Sequence, residues 1–472
     1  MTALLSVNPP DAPRSPADAP WRKELRELVR LAAPIVATQV CWVAMMTTDT
    51  AMIGHLGADA LAGAGLSLMV FFIGFLVCFG VILSTAGLAA QAYGARRPRI
   101  LRRVIRQGLW ATILLVTPCM VGLSYTGDLL AALGQPPEAL PHADAYMSTL
   151  MWSLPFTIAF NVLRNFVSAL GRPGPALWAM AAGVPLNALL DYALIFGNLG
   201  LPRLEIMGAG IATASVNCLM FLFLCAIALW RKPFAKYQIF ARFWRPDWQI
   251  FAQIFRIGTP IAIMSVLEGG FFIGAVFVIG QFGAVAVAAH MIAMQMPHIT
   301  FMVPMGLAQA ATVRVGQMAG RRDLAGAYRA GWTALAVTAL FMTLTTVVIA
   351  TTTGPFARVF MDPALKDGMA VLGLAQSLLM MAALFQLADG VQAVAAGALR
   401  GVNDTKVPMV NAVASFWGLG AVVVWLLAFQ AGLGPHGIWW GFIVGLIAAA
   451  VTQTLRFRRL HQRGHLPEIV GD

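Results

Sequence analysis

Apolar residues in this chain run for twenty or more positions at a time, and polar residues gather into short clusters between the runs. A hydrocarbon layer about 30 Å thick is crossed by about 20 residues of helix. Runs of that length lie at roughly 28–53, 62–89, 104–126, 144–169, 177–198 and 207–230, and again at 252–279, 286–313, 328–350, 368–398, 407–430 and 436–456. They predict twelve membrane-crossing helices. Gly- and Pro-rich punctuation separates them, as in GARRPR at 94–99, GRPGP at 171–175 and GPHG at 434–437.

Composition agrees with the pattern. Of 472 residues, 59% are apolar and only 11% are Asp, Glu, Lys or Arg, against about 25% charged in an average soluble domain. So few charges cannot clothe a water-facing surface, which excludes a soluble enzyme, a nucleic-acid binder and a disordered tail protein. The net charge of +12 does not point to nucleic acid, because the basic residues fall between the apolar runs, where they set membrane orientation. With both termini inside, 29 of the 32 Lys and Arg lie on the inner side and only Arg203, Arg358 and Lys366 outside. The expected topology crosses the membrane many times with both termini cytoplasmic. Residues 1–24 lack the apolar core of a signal peptide and read as a disordered cytoplasmic tail. Cys41, Cys78, Cys119, Cys218 and Cys225 lie inside apolar runs and read as small core hydrophobes.

The two halves of the chain repeat. At an offset of 226, Arg30 to Arg96 lies over Arg256 to Arg322 without a gap. Pro34 falls on Pro260, Gly80 on Gly306, Gln91 on Gln317 and Gly94 on Gly320. Six spans per half is an even number, so both halves enter from the same side and the repeats run parallel. The expected fold is therefore an all-α integral membrane protein of twelve transmembrane helices, in two six-helix lobes related by a pseudo-two-fold axis along the membrane normal. Its parts are the tail at 1–24, an N-terminal lobe at 25–230, a basic cytoplasmic linker at 231–249, a C-terminal lobe at 250–459 and a cytoplasmic tail at 460–472. A monomer is the expected unit.

Four of the 20 acidic residues fall well inside spans: Asp49, Asp191, Glu268 and Asp389. A carboxylate at mid-bilayer costs at least about 2.5–3.5 kcal/mol by insertion scales, and no Lys or Arg is expected at comparable depth. Each acid must then be protonated, bind an inorganic cation or face water in a cavity. At the helical rise, Glu268 lies roughly 18 Å from Arg256 and Asp389 roughly 16 Å from Arg400, so the two can meet near the midplane of the C-terminal lobe. Asp49, roughly 28 Å from Arg30, and Asp191, roughly 22 Å from Ala176, share the outer half of the N-terminal lobe. Asn187 sits one turn before Asp191 on the same face, able to ligate a cation or hydrogen-bond the acid. Such clusters draw both an organic cation and a coupling ion; where the two cannot bind together, one expels the other. Pro34 and Pro260 are candidate helix-bending positions, with Pro185, Pro297 and Pro304 also inside spans. His290 and His298 read as polar ties near a helix mouth.

These residues stand in strings that resemble the multidrug and toxic compound extrusion (MATE) family, and within it the NorM-like branch. The strings include TDTAMIGHLGADALAG at 48–63, PLNALLDYALIFG at 185–197, TPIAIMSVLEGGFF at 259–272 and DGVQAVAAGALRGVNDTKVP at 389–408. The resemblance runs from about Leu25 to Arg459. It implies an antiporter, not an enzyme, that expels small organic cations in exchange for inward Na⁺ or H⁺ without a cofactor. The family's C-lobe acidic pair matches Glu268 and Asp389, where Na⁺ is expected. Its first-helix acid matches Asp49, and its fifth-helix pair matches Asn187 and Asp191. Asp191 departs from many NorM-like members and is similar to the DinF-like branch. Phe385, one turn before Asp389, offers no oxygen where some relatives place a Tyr. Two rivals are a lipid-linked precursor flippase, which needs a cationic cavity, and a polytopic intramembrane enzyme, for which no HExxH or GxSxG string is present.

Overall fold

The computed structural model describes residues 20–361 and 367–467, and they are helical throughout apart from turns. The N-terminal half holds α1 (Pro20–Gly54), α2 (Ala58–Gly94), α3 (Pro98–Leu123), α4 (Thr126–Ala132), α5 (Leu140–Leu150), α6 (Ser153–Ala169), α7 (Gly174–Phe196) and α8 (Glu205–Trp230). A 3-10 turn at Phe234–Tyr237 lies in the linker. The C-terminal half holds α9 (Trp248–Gly280), α10 (Ala284–Gly320), α11 (Leu324–Phe360), α12 (Gly368–Gly401), α13 (Lys406–Val413), α14 (Ala421–Val424) and α15 (Pro435–Gln462).

Among the described residues, eleven helical segments are long and apolar enough to cross a membrane. The remaining predicted span, 144–169, is broken into α5 and α6 by a turn at Met151 and Trp152. Pro155 supplies no N–H for the Met151 carbonyl, and the break falls there. The span predicted at 407–430 is also irregular: π-helical turns at Ala414–Gly420 and Trp425–Gln430 flank α14. The tail boundaries shift as well. Residues 1–19 lie outside the described residues, but Pro20 to Glu24 belong to α1, because Glu24 is anchored by an arginine of α10. At the other end α15 continues to Gln462, and 468–472 lie outside the described residues. Within the linker, α9 already starts at Trp248, where Asp247 Oδ1 accepts from the Ile250 amide at 3.3 Å.

The repeat reappears as packing. Gly94 of α2 lies against the Gln317 carbonyl of α10, and its repeat mate Gly320 lies against the Gln91 carbonyl of α2. Gly80 meets the backbone of Ala262, and its mate Gly306 meets the backbone of Val36. Arg96 and Arg322, the turn residues that follow, share left-handed backbone at φ 57° and 61°. The two halves are thus exchanged by one two-fold operation.

Where the halves touch is uneven. One hydrophobic core holds residues of both, among them Leu28, Ile82, Val104 and Leu163 with Ile254, Ala311, Val394 and Phe457. This is the end that carries the basic turns. Towards the opposite end the cores separate, one built from Ile53, Tyr146, Ile195 and neighbours in the N-terminal half, the other from Phe271, Leu378, Trp439 and neighbours in the C-terminal half.

Candidate functional site

Asp49 of α1, Asn187 and Asp191 of α7 and Thr213 of α8 form one buried cluster. Asn187 Nδ2 donates to Asp49 Oδ1 at 2.8 Å and to Asp191 Oδ2 at 2.7 Å. Thr213 Oγ1 donates to Asp49 Oδ2 at 3.0 Å. Asn187 and Asp191 are fully buried and Asp49 nearly so. The one-turn spacing read from the sequence therefore does place Asn187 on Asp191, and the pair meets Asp49. Thr213 was missed; its signal is that Thr213 and Asn217 stand one turn apart in an otherwise apolar helix, with Asn217 donating to the Thr213 carbonyl at 2.8 Å.

The cluster is incomplete. Asn187 Oδ1 and Asp191 Oδ1 are buried and have no hydrogen-bond partner among the described residues. An unsatisfied buried acceptor costs about 1–3 kcal/mol, more when charged, so the arrangement calls for a proton or a cation. Beside it lies a cavity of about 50 Å³ lined by Asp49, Thr50, Ile53, Ala64 and Tyr146. That holds an ion with a few waters, far below the roughly 300 Å³ at which small-molecule sites begin.

In the C-terminal half, Glu268 of α9 and Asp389 of α12 lie within range of mutual electrostatic repulsion, with no hydrogen bond between them among the described residues. Gln386, one turn before Asp389, ties three helices together beside the acids. It accepts from Thr300 of α10 at 2.9 Å and donates to Thr345 and Thr346 of α11 at 3.2 and 3.3 Å. Phe385 belongs to an aromatic wall, with ring centroids 5.9 Å from Phe272 and 5.8 Å from Trp439. His290, expected to make a polar tie, packs edge-on against Trp439 at 5.6 Å, and its Nδ1 has no partner. His298 is exposed. Pro34 and Pro260 lie inside α1 and α9, which continue through them.

One expectation fails. Glu268 is not free of positive neighbours, because the buried Arg400 guanidinium acts on it electrostatically, without a direct ion pair among the described residues. A long side chain holds its charge several ångströms from its own backbone, which residue-by-residue depth does not register. The aspartate cluster and the glutamate–aspartate pair nonetheless share a level. Asp49 stands between Met45 of the common core and Ile53 of the N-terminal core. Glu268 and Asp389 stand where Ala262 and Val394 of the common core give way to Met264 and Ala388 of the C-terminal core. All three acids therefore flank the height at which the halves part.

Below that height the halves are clasped. Arg314 of α10 forks onto Glu24 of α1 at 2.9 and 2.7 Å and also donates to Gln317 Oε1 at 3.2 Å. Gln317 Nε2 donates to the Ala169 carbonyl of α6 at 2.8 Å. Its mate Gln91 donates to the Gly401 carbonyl of α12 at 2.9 Å and exchanges two 3.0 Å bonds with Asn403. Ser84 completes the set with a 3.2 Å bond to the Ile254 carbonyl.

Comparison with known proteins gives a consistent picture. The MatE family model matches residues 34–193 and 260–426, one stretch in each half. The probable multidrug resistance protein NorM of Bradyrhizobium diazoefficiens is 41% identical over 93% of this chain and 94% of its own. The protein of the same description from Rhodopseudomonas palustris is 44% identical over 93% of each. Among solved structures, the eukaryotic MATE transporter AtDTX14 superposes with a TM-score of 0.82 at 21% identity, over 95% of this chain and 100% of its own. A multidrug resistance MATE transporter in an outward-facing conformation superposes with a TM-score of 0.84 at 20% identity, over 93% and 96%.

Proposed function

This chain belongs to the MatE family of membrane transporters, and on that premise we propose that it exports small organic cations in exchange for inward Na⁺ or H⁺ by alternating access. The family assignment makes it a multidrug efflux transporter rather than an enzyme. The observation that carries the finer reading is the position of the carboxylates, at the level where one shared core divides into two. Opening the parted end would present groups at that level to one side, and closing it while opening the clasped end would present them to the other.

The two clusters suit different cargo. The N-terminal one leaves only oxygens open, beside a cavity of about 50 Å³, and is assigned the coupling ion. Two carboxylates bridged by one amide repel each other when both are ionised, so a proton or Na⁺ between them relieves the repulsion and satisfies the open oxygens. The C-terminal pair, Glu268 and Asp389, stands one helical turn from Phe272 and Phe385, which meet across the helices, and aromatic ring faces attract cations; it is assigned the organic cation, with Na⁺ as the alternative occupant. Each ligand shifts the equilibrium between the two states only by its differential affinity for them, so exchange requires that the ion favour one and the drug the other. The lobes, 25–230 and 250–459, act as the moving units of a monomer, with the basic end and both termini cytoplasmic in the inner membrane.

Ethidium efflux from proteoliposomes, driven first by an imposed Na⁺ gradient and then by an imposed pH gradient, tests this. Efflux under one gradient is expected and identifies the ion. Efflux under neither overturns antiport.

A further inference from the structure

Apart from the transport path, the basic end carries a cleft of about 500 Å³ lined by Tyr93, Arg96, Arg97, Tyr237 and Arg321, among others. Three segments build it. Arg96 and Arg97 lie in the turn between α2 and α3, Arg321 opens the turn between α10 and α11, and Tyr237 ends the 3-10 turn of the linker. Arg96 and Arg321 are exposed, and neither side chain makes a hydrogen bond or ion pair among the described residues. They come from opposite halves of the molecule.

Among the described residues, no acidic side chain lines this cleft. Asp323, two residues beyond Arg321, uses Oδ1 to cap α11 at the Gly326 amide, 2.8 Å away. Tyr237 is positioned by an edge-to-face contact with Phe166 at 5.8 Å. Burial and the adjacent Tyr93 push its phenol up, which keeps it a neutral hydrogen-bond donor. Guanidinium groups converging on one concavity repel while it is empty, and their planar forks match the oxygens of a phosphoryl group. The volume falls in the range of ligand-sized clefts, and basic pockets between helices at the cytoplasmic face are suited to anionic head groups.

We propose that this cleft is a binding site for a phosphate-bearing group, gripped by Arg96 and Arg321 with Tyr237 as a neutral donor. The group is either a soluble phosphate compound or the head of an anionic lipid; both present the same oxygens. An occupant that touches Arg96 and Arg321 links the two halves at the end already clasped by Glu24 and Arg314, and so favours the state in which that end is shut. This last consequence rests on alternating access; the binding itself does not.

The full-length protein in phosphatidylcholine nanodiscs, titrated with pyrophosphate, tests the soluble source, and a phosphatidylglycerol series in otherwise identical discs tests the lipid. Thermal stabilisation is read in both. One series is expected to give saturable stabilisation. The double substitution R96Q/R321Q weakens it at least about tenfold, since two charged hydrogen bonds together contribute more than the increment of a tenfold change. R458Q/R459Q removes the same charge from the exposed end of α15 and changes it less than about twofold. Stabilisation in neither series, or equal losses in both double variants, overturns the site.

Discussion

Asn187 and Asp49 join α7 to α1 through a 2.8 Å hydrogen bond between two buried side chains. The same amide nitrogen also reaches Asp191 at 2.7 Å, so both donor directions of Asn187 point at carboxylates and its own oxygen is left over. A purely structural tie between helices would pair every polar atom. Here oxygens of Asn187 and Asp191 are left over and the Asp49 they join lines a small cavity, an arrangement that an ion or a proton completes.

Asp49→Asn and Asp191→Asn should therefore each lower gradient-driven ethidium efflux at least about tenfold, because either change leaves one carboxylate where the ion needs two. Thr213→Val removes a single hydrogen bond to a charged group, worth about 1.5–3 kcal/mol. It should raise the half-saturating concentration of the driving ion about tenfold or more while leaving efflux at saturation near the wild-type rate. Both are read in proteoliposomes as efflux against ion concentration. Unchanged ion dependence in the two Asp variants would remove the N-terminal cluster from the coupling step.

Glu268→Gln and Asp389→Asn should each abolish ethidium efflux while the protein still inserts and purifies as wild type. Both substitutions are nearly isosteric, and neither acid is held by a hydrogen bond to the other, so loss of function would report loss of charge rather than of packing. Everted vesicles give the readout. Wild-type efflux by both variants refutes the assignment of the C-terminal pair.

The clasp at the basic end makes a conformational prediction. Arg314→Gln strands the nearly buried Glu24 carboxylate, whose side chain is 8% exposed, and breaking a buried pair this way costs about 3–5 kcal/mol. The shut state of that end should lose population. Spin labels at positions 172 and 458, both exposed on the basic end in opposite halves, should report a distance distribution shifted to longer values, and E24Q/R314Q should shift it less. An unchanged distribution in Arg314→Gln means that the contact does not hold the end closed.

Much of this was readable from the residues. Long apolar runs give the helices because a membrane allows little else, and the offset of 226 gives the two halves. Four acids in apolar runs mark both clusters, and the spacing of Asn187 and Asp191 alone predicts their contact. What stayed hidden depends on the third dimension or on side-chain length. Thr213 meets Asp49 across 164 positions of chain, with no periodicity to announce it. Arg400, at a helix end, acts electrostatically on Glu268. Glu24 looked like part of a tail because its partner, Arg314, lies in the other half. The break between α5 and α6 turns on Pro155, which hydropathy averaged over a span conceals.

The crossing of α2 and α10 gives the last prediction. Gly94 and Gly320 each lie so close to the opposing helix that a methyl group would overlap a backbone carbonyl, of Gln317 and of Gln91 respectively. Gly94→Ala and Gly320→Ala must push the helices apart, at about 1–3 kcal/mol for overpacking, and should lower the thermal midpoint. The two losses should be similar, since the repeat places both glycines in the same relation to their partners. They should also be sub-additive in the double variant, because the first methyl opens the gap that the second would need. Gly65→Ala in α2 and Gly122→Ala in α3 are the controls. Neither meets any atom within 4 Å, so each should hold or raise the midpoint through the better helix propensity of Ala, about 0.5–1 kcal/mol. Melting curves of the four single variants and the G94A/G320A double in one detergent decide the matter. Wild-type midpoints for Gly94→Ala and Gly320→Ala, or full additivity in the double, would mean that the helices do not cross at these glycines.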